Sequence, residues 1–152
     1  MLWLALRFSS LPLEVYARTV QSVSPLAVTT GSGLQAYVLA CNPAATERGV
    51  TAGMSLAAAM ALDANLQAVP RNAAAERSAL ERIAAWATQF TPVVSLASGQ
   101  EVLLEIAGSL KLFGGLTALL KLVRTGLAEL GYASQMACAP TPLAALWFAR
   151  AN

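Results

Sequence analysis

The sequence predicts an α+β fold: a ferredoxin-like βαββαβ core interrupted by a small, mostly helical insertion. Two observations lead there. Short apolar runs of strand length stand at residues 2–8, 92–97, 101–107 and 132–139, and two stretches with helical apolar spacing, Ala73 to Phe90 and Leu116 to Leu130, lie between them. Setting residues 11–69 aside leaves strand, helix, strand, strand, helix, strand, which is the split βαβ pattern. Hydrophobic residues make up 57% of the 152 and charged residues 12%, so the chain has the composition of a packed domain, not a disordered one. The expected organisation is therefore residues 1–10 and 70–152 as the core domain, with residues 11–69 inserted.

The elements follow in order. LWLALRF at residues 2–8 suits a buried strand. Leu11 to Gln21 is expected as a short helix, with Leu13, Tyr16, Ala17 and Val20 at helical spacing, ended by Pro25. LAVTT and LQAYVLAC read as two strands joined at the GSG of residues 31–33, a hairpin turn. Asn42 before Pro43 is an N-cap followed by proline at the first helical position, opening a helix that stops at Gly49. Ser55 caps a second helix, LAAAMAL, and Leu66 to Val69 form a short strand. In the helix from Ala73, Leu80, Ile83, Ala87 and Phe90 share one face, while Glu76, Arg77, Glu81 and Arg82 fall elsewhere. PVVSLA and EVLLEIA are strands around the tight turn SGQ. Gly131 ends the next helix as a C-cap, YASQMACA is a strand, and Thr141 with Pro142 opens a last helix. That helix is still running at Asn152, so the chain reads as a fragment.

Composition also excludes functions. There is no histidine, which removes Ser-His and Cys-His catalysis and every histidine-ligated metal. Cys41 and Cys138 lack a CxxC spacing and read as small buried side chains. The net charge of +2 is too small to indicate nucleic acid by itself. The longest uncharged runs are broken by Pro and Gly, and MLWLALRF has no basic stretch before it, so no membrane span or signal peptide is read and a soluble, cytoplasmic protein is expected.

Three segments carry a resemblance. NPAATERGVTAGMSLAAAMAL from Asn42, SGQEVLLEIAGSLKLFGG from Ser98 and ACAPTPLAALWFARA from Ala137 are similar to the fingers motif, the acidic palm motif and the following N-K-x-L-A-K segment of Y-family DNA polymerases. The resemblance implies a palm at residues 1–10 and 70–152 and fingers at 11–69, with thumb and little-finger domains beyond Asn152.

The departures from the family pattern bear on chemistry. Family enzymes hold two metal ions on carboxylates from two palm strands, which activate the primer hydroxyl and stabilise the leaving pyrophosphate. Aligning the V-E that follows the first acids with Leu13-Glu14 puts Ala5 and Arg7 at the acidic positions. In the second motif the Asp-Glu pair becomes Gln100-Glu101, and the later Asp becomes Glu105. Only Glu101 matches a catalytic acid in place, and Arg7 would set a cation near the metal position. The nucleotide-phosphate contacts fall on Pro43, Thr46 and, on or near, Pro142, none of which pairs with phosphate, while Arg48 lies two positions after Thr46. No metal or cofactor is expected.

Strand alternation sets Val102, Leu104 and Ile106 on one face and Glu101, Leu103 and Glu105 on the other, so both glutamates read as the solvated face of a half-buried strand. Gly114-Gly115 lacks a phosphate-loop frame and reads as a turn feeding a helix. Trp3, Trp86, Trp147 and Phe148 are assigned to core packing over base stacking. Arg71, Arg77, Arg82, Lys111, Lys121 and Arg124 are assigned mostly to solvated helix faces.

Among Y-family relatives, LWLALRF-SSLPLEV without an acidic pair and GSLKLFGG resemble the ImuB branch of inactive homologues. That resemblance implies a bacterial adaptor in damage-induced (SOS) translesion synthesis and mutagenesis. Its implied partners are the sliding clamp, a recombinase-like accessory protein and an error-prone replicative-type polymerase, with weak DNA contact. Two alternatives stand. An active, divergent polymerase would rebuild a magnesium site from Glu101 and Glu105 with Glu14 or Asp63. A ferredoxin-like regulatory module would resemble polymerases only incidentally and would lack the inserted fingers.

Overall fold

The computed structural model describes residues 1–17 and 23–152 and divides into two compact units, Met1–Leu11 with Glu76–Asn152, and Pro12–Ala75. Each is built around its own sheet.

The discontinuous unit opens with β1 (Trp3–Arg7). After the inserted unit the chain returns along α4 (Ala73–Ala87), then β5 (Val94–Leu96), β6 (Glu101–Glu105), α5 (Leu116–Glu129), β7 (Gln135–Ala139) and α6 (Pro142–Ala151). The strands lie in the order β5-β6-β1-β7, every neighbour antiparallel. With these four counted along the chain, the order is second, third, first, fourth, as a split βαβ requires. The central strand β1 is buried on both faces: Leu4, Ala5 and Leu6 have no exposed surface. Ala5 and Leu103 face α6, whose small residues Ala145 and Ala149 let the helix approach the sheet closely. By alternation Leu4, Leu6, Val102 and Leu104 point to the other face, and all four are fully buried. The amphipathic helices α4 and α5 bury Leu80, Ile83 and Ala87, and Leu119, Val123 and Leu127. Gly126 of α5 sits so close to Trp86 of α4 that an added Cβ would lie 2.4 Å from the indole.

The inserted unit holds α1 (Leu11–Ala17), β2 (Leu26–Thr30), β3 (Tyr37–Cys41), α2 (Pro43–Glu47), α3 (Leu56–Leu62) and β4 (Gln67–Pro70). Its strands pair as β3-β2-β4, with β2 antiparallel to β3 and parallel to β4. Ala27, Val38, Ala45, Val50, Ala59 and Leu66 form its core. Both predicted N-caps are made: Asn42 accepts from the Ala45 amide at 2.9 Å and Ser55 from the Ala58 amide at 3.1 Å. Asn42 does more than cap, because its Oδ1 also accepts from the Leu26 amide at 3.0 Å and its Nδ2 donates to the Ser24 carbonyl at 2.9 Å. One side chain thus ties α2 to the start of β2.

Several expectations shift. The predicted helix from Leu11 to Gln21 is described only to Ala17, and residues 18–22 lie outside the described residues. The strand expected from Leu34 begins at Tyr37, because Gly33–Gln35 form a 3₁₀ turn. Gly31 in that connection has φ +85°, and an added Cβ would meet the Gln35 carbonyl oxygen at 2.8 Å. Gly114 and Gly115, both at positive φ, make the turn into α5. The core assignment of Trp147 and Phe148 is corrected: they are 61% and 57% exposed, because α6 turns its alanines to the sheet and its large side chains outward.

Candidate functional site

Of the residues singled out on the palm-like sheet, Arg7, Gln100 and Glu101 lie at the C-terminal end of β1, with Ala5 two residues before it and Glu105 at the opposite end. Cross-strand register sets Arg7 opposite Glu101 on one side and Gln135 on the other, and Ala5 opposite Leu103 and Ala137. Ala5, Arg7 and Glu101 therefore share one face. That face is not solvated. Glu101 is 3% exposed, and the reading of Glu101 and Glu105 as a wet strand face is corrected for Glu101. The cause is α6, which period-2 alternation in a single strand cannot register.

A buried carboxylate needs a counter-charge and hydrogen bonds. Arg150, near the end of α6, supplies both: its Nε donates to Glu101 Oε1 at 2.6 Å and its Nη2 to Oε2 at 2.7 Å. This is a bidentate guanidinium–carboxylate pair, which occupies both carboxylate oxygens. The carboxylate in turn holds the Arg150 guanidinium even more firmly protonated than usual, through the hydrogen bonds first and the charge second. Arg7 completes the arrangement, its Nη1 donating to the Arg150 carbonyl at 3.1 Å. A cation there meets the negative end of α6 and one of its last carbonyls. The two arginines thus fasten the end of α6 to the sheet. Beside them Ser9 and Gln135 are joined by paired contacts of 3.1 and 2.9 Å.

The other singled-out positions have local structural partners. Gln100 donates through Nε2 to Glu76 Oε1 at 3.0 Å. Glu76, expected on a polar helix face, is instead 3% exposed. Glu105 closes the far end of β6, its Oε1 accepting from the Leu2 amide at 3.0 Å and the Ala107 amide at 3.2 Å. Asp63 accepts from the Asn65 amide at 2.9 Å. Among the described residues, no three His, Cys, Asp or Glu side chains gather closely enough to hold a metal ion.

The nucleotide-contact positions fall at helix starts. Pro43 occupies the first turn of α2, and the Thr46 hydroxyl donates to the Asn42 carbonyl at 3.1 Å. Pro142 occupies the first turn of α6, where Thr141 caps by accepting from the Ala144 amide at 3.3 Å. Arg48 is an exposed residue at the end of α2. Sequence reasoning missed Arg150 and the role of Gln135. Arg150 stands in an apolar helix 49 residues from Glu101, and the one signal for it was a lone cation in ARAN.

No described helix is long and apolar enough to cross a membrane. The family model described as "IMS: impB/mucB/samB family" matches residues 16–150. Protein ImuB of Caulobacter vibrioides, in two strains, is 34% identical over 102 residues, 67% of this chain and 22% of its own length. The chain therefore spans about a fifth of the curated relatives it matches. Among solved structures, a post-insertion binary complex of Dbh DNA polymerase superposes on the whole chain with a TM-score of 0.80 at 22% identity, over 46% of that polymerase. DinB from Sulfolobus solfataricus does so with 0.74 at 21% identity, again over 46%. At such identities the superpositions establish the fold, that of Y-family palm and fingers.

Proposed function

This chain belongs to the impB/mucB/samB family, and on that premise we propose that it is the palm-and-fingers part of a Y-family homologue that serves translesion DNA synthesis without transferring nucleotides itself. The observation that carries this reading is the state of Glu101. Both its oxygens are committed to Arg150, and the first acidic position is Ala5, fully buried against α6. A two-metal mechanism needs several hard oxygen ligands converging between phosphates. Here one carboxylate is neutralised in place, its neighbour is an amide, and a guanidinium stands at Arg7. This donor set does not fit a pair of divalent ions.

The protein's role is then that of an adaptor in bacterial damage-induced mutagenesis, and the fold is retained for what it docks. The partners implied by resemblance to the ImuB branch are the sliding clamp, a recombinase-like accessory protein and an error-prone replicative-type polymerase. Retention of family spacing around Gln100-Glu101, with the chemistry replaced side chain by side chain, supports descent from an active enzyme. The incidental regulatory-module alternative is set aside, because the family match runs through the inserted unit.

The test is primer extension by the full-length parent protein on undamaged template with magnesium or manganese, compared with its Glu101→Ala variant. No incorporation by either is expected. Incorporation by the natural sequence that disappears in Glu101→Ala would overturn the reading in favour of an active, divergent polymerase.

A further inference from the structure

A second cluster lies on α4, α5 and the turns beside them, apart from the strands. Trp86 and Phe90 stand with ring centroids 5.1 Å apart and planes at 73°, and Phe90 and Phe113 at 5.5 Å and 58°. The tilted rings are floor and walls of an open cavity of about 370 Å³, completed by Leu122 and Gly126 and, on its polar side, by Gln89, Thr125 and Glu129. That volume falls within the range of small-ligand sites, about 300–1,000 Å³.

Two features of this cavity work against the stability of α5. Gly126 stands in the helix interior, where glycine is a poor helix former, and it admits the Trp86 indole, which a Cβ would meet at 2.4 Å. Glu129 is the last residue of α5, and no basic residue stands in that turn. A carboxylate at the negative end of a helix is unfavourable. Among the described residues the Glu129 side chain has neither an ion pair nor a hydrogen bond, and Arg82, one turn before Trp86, does not reach it. The carboxylate, the helix end and the electron-rich ring faces all favour a cation. The ground around them is apolar: Leu122 is 48% exposed, and Leu112, next to Phe113, is 82% exposed. A small free amine would leave that ground uncovered, whereas a protein segment would cover it.

We propose that this cavity receives an arginine side chain of a partner protein. The guanidinium lies between the aromatic rings and the Glu129 carboxylate, and apolar neighbours on the same segment cover Leu122 and Leu112. Arginine suits the site because its weakly hydrated plane stacks on aromatic faces and pairs with a carboxylate through two parallel N–H groups. The proposal goes beyond the non-catalytic reading and holds whether or not nucleotides are transferred elsewhere on the protein.

The test is fluorine NMR of the full-length parent protein labelled with fluorotryptophan, the Trp86 signal being the one lost in Trp86→Phe. The probes are acetyl-Leu-Arg-Leu-amide and the same peptide with uncharged citrulline in place of arginine. The arginine peptide is expected to shift the Trp86 signal saturably, and the citrulline peptide to bind about tenfold more weakly. Glu129→Gln should weaken the arginine peptide about tenfold, the scale of one charge-assisted hydrogen bond. Glu81→Gln, which removes an exposed carboxylate of α4 outside the cavity, should leave binding unchanged. Glu129→Gln should also melt no lower than the natural protein, since it removes a charge from the unfavourable end of α5, so weaker binding is not unfolding. No saturable shift, equal binding of the citrulline peptide, equal binding of acetyl-arginine amide, or full binding by Glu129→Gln would each overturn the proposal. Primer extension tests the non-catalytic reading separately.

Discussion

Introducing an acid on the central strand, Ala5→Asp, should destabilise the protein. Ala5 is fully buried on the central strand and packs with Leu103, Ala139, Ala145 and Ala149. A carboxylate introduced there has two options at pH 7. It can stay ionised and bear the desolvation of a charge in an apolar pocket, which is several kcal/mol. Or it can fold protonated, at about 1.4 kcal/mol for each of roughly three pH units above its ordinary value, or about 4 kcal/mol. The second route caps the ionisation cost, and an unpaired neutral carboxyl adds about 1–3 kcal/mol. Together they make a loss of about 5–7 kcal/mol, which lowers the melting temperature by about 10–28 °C in a chain of this size. The sign with pH is defined. The folded-state value is raised, so the unfolded chain releases the proton first, and the penalty grows as pH rises above about 4. Melting the natural and substituted proteins at pH 4.5 and pH 7 should therefore give a gap that narrows at the lower pH. A variant melting within about 3 °C of the natural protein at pH 7 would refute the burial argument. It would mean that Arg7 or α6 moves readily to accommodate the acid.

Three further outcomes follow from particular contacts. Asn42→Ala removes a helix cap and the amide acceptor for Leu26 together, so urea unfolding should report a loss of about 2–3 kcal/mol, more than a cap alone. Gly31→Ala places a methyl 2.8 Å from the Gln35 carbonyl at φ +85°, and destabilisation of about 1–3 kcal/mol is expected, read as increased proteolysis at the β2–β3 connection. Cys138 lies partly buried, and desolvation raises its thiol above the ordinary range. Its thiolate therefore forms only at higher pH, and alkylation at pH 8 should be slower than that of a free cysteine peptide; equal rates would contradict the burial.

The strands and helices of the core domain were legible because their signals are local. Alternation in EVLLE, helical spacing in the stretches from Ala73 and Leu116, and caps at Asn42, Ser55 and Thr141 are each contained within a few residues. Boundaries moved where a turn competed with a strand, as at Gly33–Gln35. That the opening strand carries no carboxylate and that Gln100 is an amide was also legible, since these are properties of residue identity alone. What occupies the site instead was not. Glu101 read as solvated because a single strand cannot announce that a helix from the chain's far end will cover it. Glu76 read as surface because spacing within one helix does not announce Gln100, 24 residues on, which donates to it. By itself the sequence determined which side chains the β1–β6 face carries, with Glu101 and Glu105 as its carboxylates, because residue identity and strand alternation are local. Only the tertiary structure decided what Glu101 does, because burial beneath α6 made a counter-charge obligatory and brought Arg150 and Arg7 to that end of the sheet.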